Sequence, residues 1–123
     1  MNKDTPTVYM VQSTGIRVNT SHAETFGKLY TVFPSPKKPY NTQEMIEQAR
    51  SALEGFTAKD YLCFIGDPLL GAVCMSIALE FSSSVTCLSW DNIDHVYIPT
   101  TWSFEEFLDD NNYHLFDDNN YNF

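Results

Sequence analysis

In this 123-residue chain the run Gly66-Asp67-Pro68 is where residue types and spacing best suit a small-molecule site. It follows the apolar Tyr61-Leu62-Cys63-Phe64-Ile65 and precedes a long apolar segment, so it reads as a strand-to-helix turn. Glycine sits in the bend, aspartate at the N-cap and proline at the first helical position. In open α/β sheets, ligands gather at the carboxyl ends of strands, and helix N-termini attract anions. Gln12, Ser13 and Asp91 also close strand-like runs, and with Gly66 and Asp67 they make up a candidate ligand edge. The competing reading is structural. A capping carboxylate occupies the donors a phosphate would use, and its charge repels one. Neither Gly-x-Gly-x-x-Gly nor Gly-x-x-x-x-Gly-Lys-Ser/Thr occurs, so dinucleotide and P-loop chemistry lack support.

Nucleophilic and metal chemistry are less well served. His22, His95 and His114 could each act as a general base, and Ser13 or Ser84 with His95 and Asp91 can be assembled into a triad on paper. Almost any chain of this length allows as much. Trp90-Asp91 resembles a site rim, although a tryptophan at a strand end is commonly packing. Cys63, Cys74 and Cys87 each lie inside an apolar segment, as buried reduced thiols do, and no Cys-x-x-Cys pair is present to hold zinc. The sequence therefore assigns no catalytic residue, no metal and no cofactor, and a non-enzymatic protein is the expectation.

Charge is more informative. The formal net charge is -9, and it is segregated: all seven basic residues precede residue 60, while from Asp60 onward there are eleven acids and no Lys or Arg. Such a chain is repelled by nucleic acid and by anionic membranes and is drawn to basic protein surfaces. The predicted partner is a protein with a basic surface, with no direct nucleic-acid contact and no membrane. No apolar run reaches the roughly 18 to 20 residues of a membrane helix. The N-terminus lacks the basic-then-apolar order of a secretory signal, which predicts a cytoplasmic protein. Nothing in the sequence sets an oligomeric state.

The acidity is concentrated beyond Ser103. Asp109-Asp110-Asn111-Asn112-Tyr113 recurs as Asp117-Asp118-Asn119-Asn120-Tyr121, and residues 104–123 hold six acids, six aromatic residues and no base. The segment is low in complexity and rich in adhesive side chains, which reads as an interaction tail. Candidate partner-binding residues are Phe107, Asp109, Asp110, Phe116, Asp117, Asp118 and Phe123, with aromatic anchors and carboxylates that steer toward Lys and Arg. The bland alternative is a solvated, dispensable extension.

The elements that must position these residues follow from periodicity. Val8 to Val11 and Lys28 to Phe33 read as strands, with a short helix over His22 to Phe26 that has a Ser21-x-x-Glu24 capping box and a left-handed end at Gly27. Pro34 to Pro39 is a loop. Asn41 can cap a helix with Glu44 three residues on, and Met45, Ile46, Ala49, Ala52, Leu53 and Phe56 recur at helical spacing up to Gly55. Tyr61 to Ile65 is a central strand, Pro68 to about Phe81 a helix apolar almost all round, and Val85 to Trp90 with His95 to Trp102 a hairpin. The prediction is α/β: a single small domain over 1–103, with a mostly parallel sheet of about five strands, a C-terminal antiparallel hairpin and helices on its faces. An acidic aromatic tail covers 104–123.

Four of these stretches together resemble a group of small uncharacterised proteins of tailed bacteriophages. They are Val8-Tyr9-Met10-Val11-Gln12, Ala23-Glu24-Thr25-Phe26-Gly27, Asp60-Tyr61-Leu62 through Gly66-Asp67-Pro68, and Leu88-Ser89-Trp90-Asp91. The resemblance spans roughly residues 8 to 98. Ser89 stands where that group usually has lysine, and the long acidic tail is outside its common pattern. The resemblance implies a phage origin, and hence the host cell cytoplasm, and transfers no catalytic residue. The expected function is binding and modulation or inhibition of a host or phage protein, with a nucleic-acid enzyme as a fitting target. The alternatives are a small ligand-binding or nucleotide-processing domain working at the ligand edge, and a minor virion component.

Overall fold

The computed structural model describes residues 5–13, 20–37 and 41–103. Within them the order is β1 (Thr7–Gln12), a 3-10 turn (Ala23–Thr25), β2 (Lys28–Phe33), α1 (Thr42–Leu53), β3 (Tyr61–Cys63), α2 (Pro68–Phe81), β4 (Ser84–Asp91) and β5 (Val96–Ser103). The five strands form one sheet in the order β2-β1-β3-β4-β5. The first four are parallel, and β5 returns antiparallel along β4, as the short connection between them requires.

From β1 the chain steps outward to β2, then back across β1 to β3 and on to β4. Right-handed crossovers in opposite directions place their covering segments on opposite faces of the sheet. Accordingly α1 and α2 share one face, where Tyr9, Val11, Leu62, Val85 and Cys87 meet Met45, Ala49, Leu53, Leu70 and Ile77. Alternate residues of the same strands, Val8, Cys63 and Leu88, point to the other face and pack with Ala23 and Tyr97. The bidentate Arg50–Glu80 pair joins the two helices at the surface, with the shortest contact at 2.9 Å.

Local chemistry explains most boundaries. Asn41 Oδ1 accepts from the Glu44 N–H at 2.8 Å at the start of α1, and the chain leaves that helix through Gly55 at φ +87°. Asp67 Oδ1 accepts from the Leu69 N–H at 2.7 Å, with Pro68 in the first helical position of α2. The apolar stripe Leu70, Cys74, Ile77 and Ala78 of α2 is buried, but Leu69 and Phe81 are exposed, so this helix is covered on one side.

The segment before β2 departs from expectation. It forms a single 3-10 turn in which His22 occupies the N-cap without a side-chain cap and the Glu24 N–H donates to the Thr20 carbonyl at 3.2 Å. Gly27 has no positive φ. Its role is space: a Cβ there would lie 2.2 Å from the Pro6 carbonyl oxygen. That oxygen accepts the Lys28 N–H at 3.0 Å, which fixes where β2 begins beside β1.

Candidate functional site

The strand order reverses between β1 and β3, and the crevice at their carboxyl ends is where a doubly wound sheet ordinarily receives a ligand. Gln12, Gly66 and Asp67 are all brought to this point, and Gln12 fills it. Its side chain is 4% exposed. Gln12 Oε1 accepts from the Asp67 N–H at 2.8 Å, and Nε2 donates to the carbonyls of Ser35 at 3.1 Å and Pro36 at 3.2 Å. One amide thus joins the end of β1, the loop after β2 and the turn after β3. Gly66, at φ +100°, makes the bend, and a Cβ on it would sit 2.6 Å from the Gln12 side chain.

The remaining members of the candidate edge are engaged locally. The Ser13 N–H donates to the Phe33 carbonyl at 2.9 Å, which extends the β1–β2 pairing by one bond. Asp91 stands at the end of β4, where Oδ1 accepts from the Ile93 N–H and Oδ2 from the Asp94 N–H, each at 3.2 Å. It shapes the β4–β5 turn, whose last residue, His95, adopts a left-handed φ of 56°. The paper triad does not form. Ser84 and Asp91 are opposite ends of one strand, about 23 Å apart at the rise of a β-strand. Ser13 is separated from β4 by the whole of β3, about 10 Å at ordinary strand spacing. His114 lies outside the described residues.

The other face carries a compact aromatic group. The Tyr97 N–H donates to His22 Nδ1 at 2.9 Å, and the two rings lie parallel with centroids 6.4 Å apart. Trp90 meets Tyr97 edge-on at 4.9 Å. Burial, followed by the neighbouring Cys63 thiol, pushes the Tyr97 phenol up to about 12. Burial likewise pushes Cys63 up to about 12, against the opposing effect of Tyr97, Cys74 up to about 12 and Cys87 up to about 11. These are protonated, unreactive thiols held in the core. Among the described residues no group of three or more His, Cys, Asp and Glu could hold a metal ion.

Asp60, which the sequence presents only as part of a motif, is fully buried. Oδ1 accepts from the Thr7 N–H at 2.8 Å; Oδ2 accepts from the Thr57 N–H at 2.9 Å and the Thr57 hydroxyl at 3.1 Å. A carboxylate so placed ties the start of β1 to the turn leading into β3. The Thr57-x-x-Asp60 spacing was the available signal.

The seven partner-binding candidates, Phe107, Asp109, Asp110, Phe116, Asp117, Asp118 and Phe123, lie outside the described residues. No described helix is long and apolar enough to cross a membrane.

A family model described as Phage Pam3 gp32-like protein matches residues 6–104. No curated protein matches. No solved structure matches.

Proposed function

From its membership of the Phage Pam3 gp32-like protein family, we propose that this chain is a non-enzymatic binding protein that modulates or inhibits a host or phage protein through an acidic surface and tail. The observation that supports this reading over a ligand-binding or nucleotide-processing domain is Gln12. Its amide occupies the switch-point crevice and satisfies the groups a ligand would address. Asp67 and Asp91, the carboxylates beside it, are committed to a helix cap and a turn. What is left for recognition is charge. From residue 60 onward the chain has eleven acids and no Lys or Arg, and six of those acids follow Ser103 among six aromatic residues.

The partner that fits is a protein with a basic groove, the phosphate-binding groove of a nucleic-acid enzyme being one such surface. Carboxylates steer the encounter, and Phe107, Phe116 and Phe123 anchor it. The test is affinity capture from host lysate with full-length protein and with protein ending at Ser103. The expected result is a partner with a basic surface retained by the full chain and lost with the tail. Equal capture by both would remove the tail from the mechanism, and capture of nucleic acid alone would overturn the reading.

A further inference from the structure

The sequence of α2 is apolar on every side, as in a helix covered all round, yet the fold covers only one side of it. Leu70, Cys74, Ile77 and Ala78 face the core. Leu69, Ala72 and Ser76, which recur at helical spacing on the outer side, are exposed, Leu69 by 50%. Glu80 is the one charged residue of α2, and it pairs with Arg50 on α1. The outer side is therefore an uncharged helix surface facing solvent. Beyond it lies β5, the outermost strand. α2 packs on Val85 and Cys87 of β4, and the hairpin register sets Trp102 beside Val85, Thr100 beside Cys87 and Ile98 beside Ser89. Cross-strand partners share a face, so Ile98, Thr100 and Trp102 lie on the helix-bearing face but past the reach of α2. Ile98 is 46% and Trp102 57% exposed.

Between α2 and these β5 residues runs an open groove of about 380 Å³, lined by Phe64, Met75, Cys87, Ser89, Thr100 and Trp102, none of them charged. Its dimensions suit a helix. Helices in one layer sit about 8 to 10 Å apart, or roughly two strand spacings, so the position next after α2 falls over β5. From Ile98 to Trp102 the strand spans about 13 Å, the length of about nine helical residues, which admits apolar side chains at i, i+3 or i+4 and i+7. Charge then selects the kind of helix. Phe64, just past β3, marks the end of the groove at the carboxyl edge of the sheet, where Asp67 caps α2 and the β4–β5 turn carries Asp91 and Asp94. From residue 60 to residue 103 there is no Lys or Arg. A second copy would bring like charges together on a chain of net charge -9, and nucleic acid or an anionic membrane would be repelled in the same way.

We propose that the groove between α2 and β5 is a docking site for a basic amphipathic helix of the partner protein. The apolar side of that helix lies against Met75, Ile98 and Trp102, and its Lys or Arg residues meet the carboxylates of Asp67, Asp91 and Asp94. The site completes the helix layer over the sheet and covers the side of α2 that the chain leaves open. The inference rests on the proposed binding role and gives it a contact surface on the folded body, separate from the tail.

The probe is a peptide of about 15 residues, long enough to form a helix when bound, made of leucine and lysine with leucine at helical spacing. It is titrated into the full chain carrying Trp90→Phe, in which Trp102 is the one remaining tryptophan. Trp102 emission should shift to the blue and its acrylamide quenching should fall. Ser89→Lys with Thr100→Lys, both at exposed positions, should weaken binding by about tenfold or more, and so should Ile98→Thr. Asn in place of Asp109, Asp110, Asp117 and Asp118 should leave the Trp102 shift intact. Glutamate in place of the peptide's lysines should abolish binding, and so should strict alternation of leucine and lysine. Amide shifts in the unsubstituted protein give a second reading, with changes expected at Met75 and along residues 98–102. Equal binding by the alternating or the glutamate peptide, or unchanged affinity in the Ser89→Lys, Thr100→Lys variant, would overturn the proposal. A Trp102 already shielded before peptide is added would also overturn it, in favour of a second copy where dilution removes the shielding. Partner capture with and without the tail is read separately, so failure of the tail's role would leave this site standing.

Discussion

Gln12 and Asp67, 55 residues apart in sequence, are joined by a 2.8 Å hydrogen bond across the gap between β1 and β3. The same Gln12 amide holds the Ser35 and Pro36 carbonyls, so the crevice that the strand order creates is closed by a side chain of the sheet itself. Gln12→Ala should cost about 1 to 2 kcal/mol in urea unfolding, through three lost bonds whose backbone partners, on the exposed Ser35 and Pro36 and the half-buried Asp67, turn to water instead. Gln12→Glu should not restore it, because a carboxylate would face two carbonyl oxygens. A stable Gln12→Ala protein that newly loses a binding activity would return the site to this edge.

The cap of α2 is the next quantity to measure. Asp67→Ala should destabilise by about 1 kcal/mol, and Asp67→Asn by much less, since asparagine also caps well. Calorimetry of both variants checks this; an unchanged midpoint for Asp67→Ala would free Asp67 for another role.

Asp60 should be the least replaceable acid in the chain. Asp60→Asn keeps the shape but turns an amide toward groups that are all donors, and the expected loss is about 2 to 4 kcal/mol. Denaturant unfolding at neutral pH measures it, with Asp94→Asn, at an exposed turn position, as the control near zero.

The three thiols predict an alkaline limit. Each has its folded-state value raised above the ordinary 9.0, to about 12 for Cys63 and Cys74 and about 11 for Cys87. Above pH 9 the unfolded chain releases these protons while the folded chain keeps them, so stability is intact below 9 and declines as pH rises toward 11 to 12. Unfolding at pH 8, 9 and 10 should show this decline, and Cys74→Ala should make it shallower. All three thiols should label slowly when folded and quickly in denaturant.

Charge and aromatic groups of the tail should act at different stages of binding. Replacing Asp109, Asp110, Asp117 and Asp118 with Asn should slow association with the captured partner and flatten its salt dependence, since exposed charges act by steering that salt screens. Replacing Phe107, Phe116 and Phe123 with Ala should speed dissociation, at about 1 to 2 kcal/mol per anchor. Kinetics at two salt concentrations distinguish the two effects.

What the sequence made legible is what local chemistry encodes. The Asn41 and Asp67 caps, the Pro68 start of α2, the Gly55 exit and the β4–β5 hairpin all depend on neighbours within a few residues, and each stands where its pattern placed it. The failures share the opposite cause. Gly27 looked like a helix end because glycine often is one, but its constraint comes from Pro6, the residue before β1. Gln12 looked like a ligand contact because it ends a strand at the right edge; its partners, 23 to 55 residues away, make it a plug. His22 read as a free base, whereas its Nδ1 is an acceptor for Tyr97, 75 residues on.

That His22 contact bears on how the protein behaves when crowded. β5 is the margin of the sheet, and Val96 to Ser103 contains no charged residue, the ordinary deterrent against another strand adding on. Along an antiparallel pair, donors alternate between the partner strand and the open side. The Tyr97 N–H goes to His22, which places it on the open side, and the next open-side position is Pro99, which has no N–H to offer. Two successive rungs of the outer ladder are therefore missing, one capped by an imidazole and one absent by covalent structure. Along β5 an incoming strand would find open N–H donors only at Thr101 and Ser103, half of the outer ladder. Backbone donors withheld from that edge work against strand addition there, and substituting Pro99 and His22 together should make the edge more adhesive.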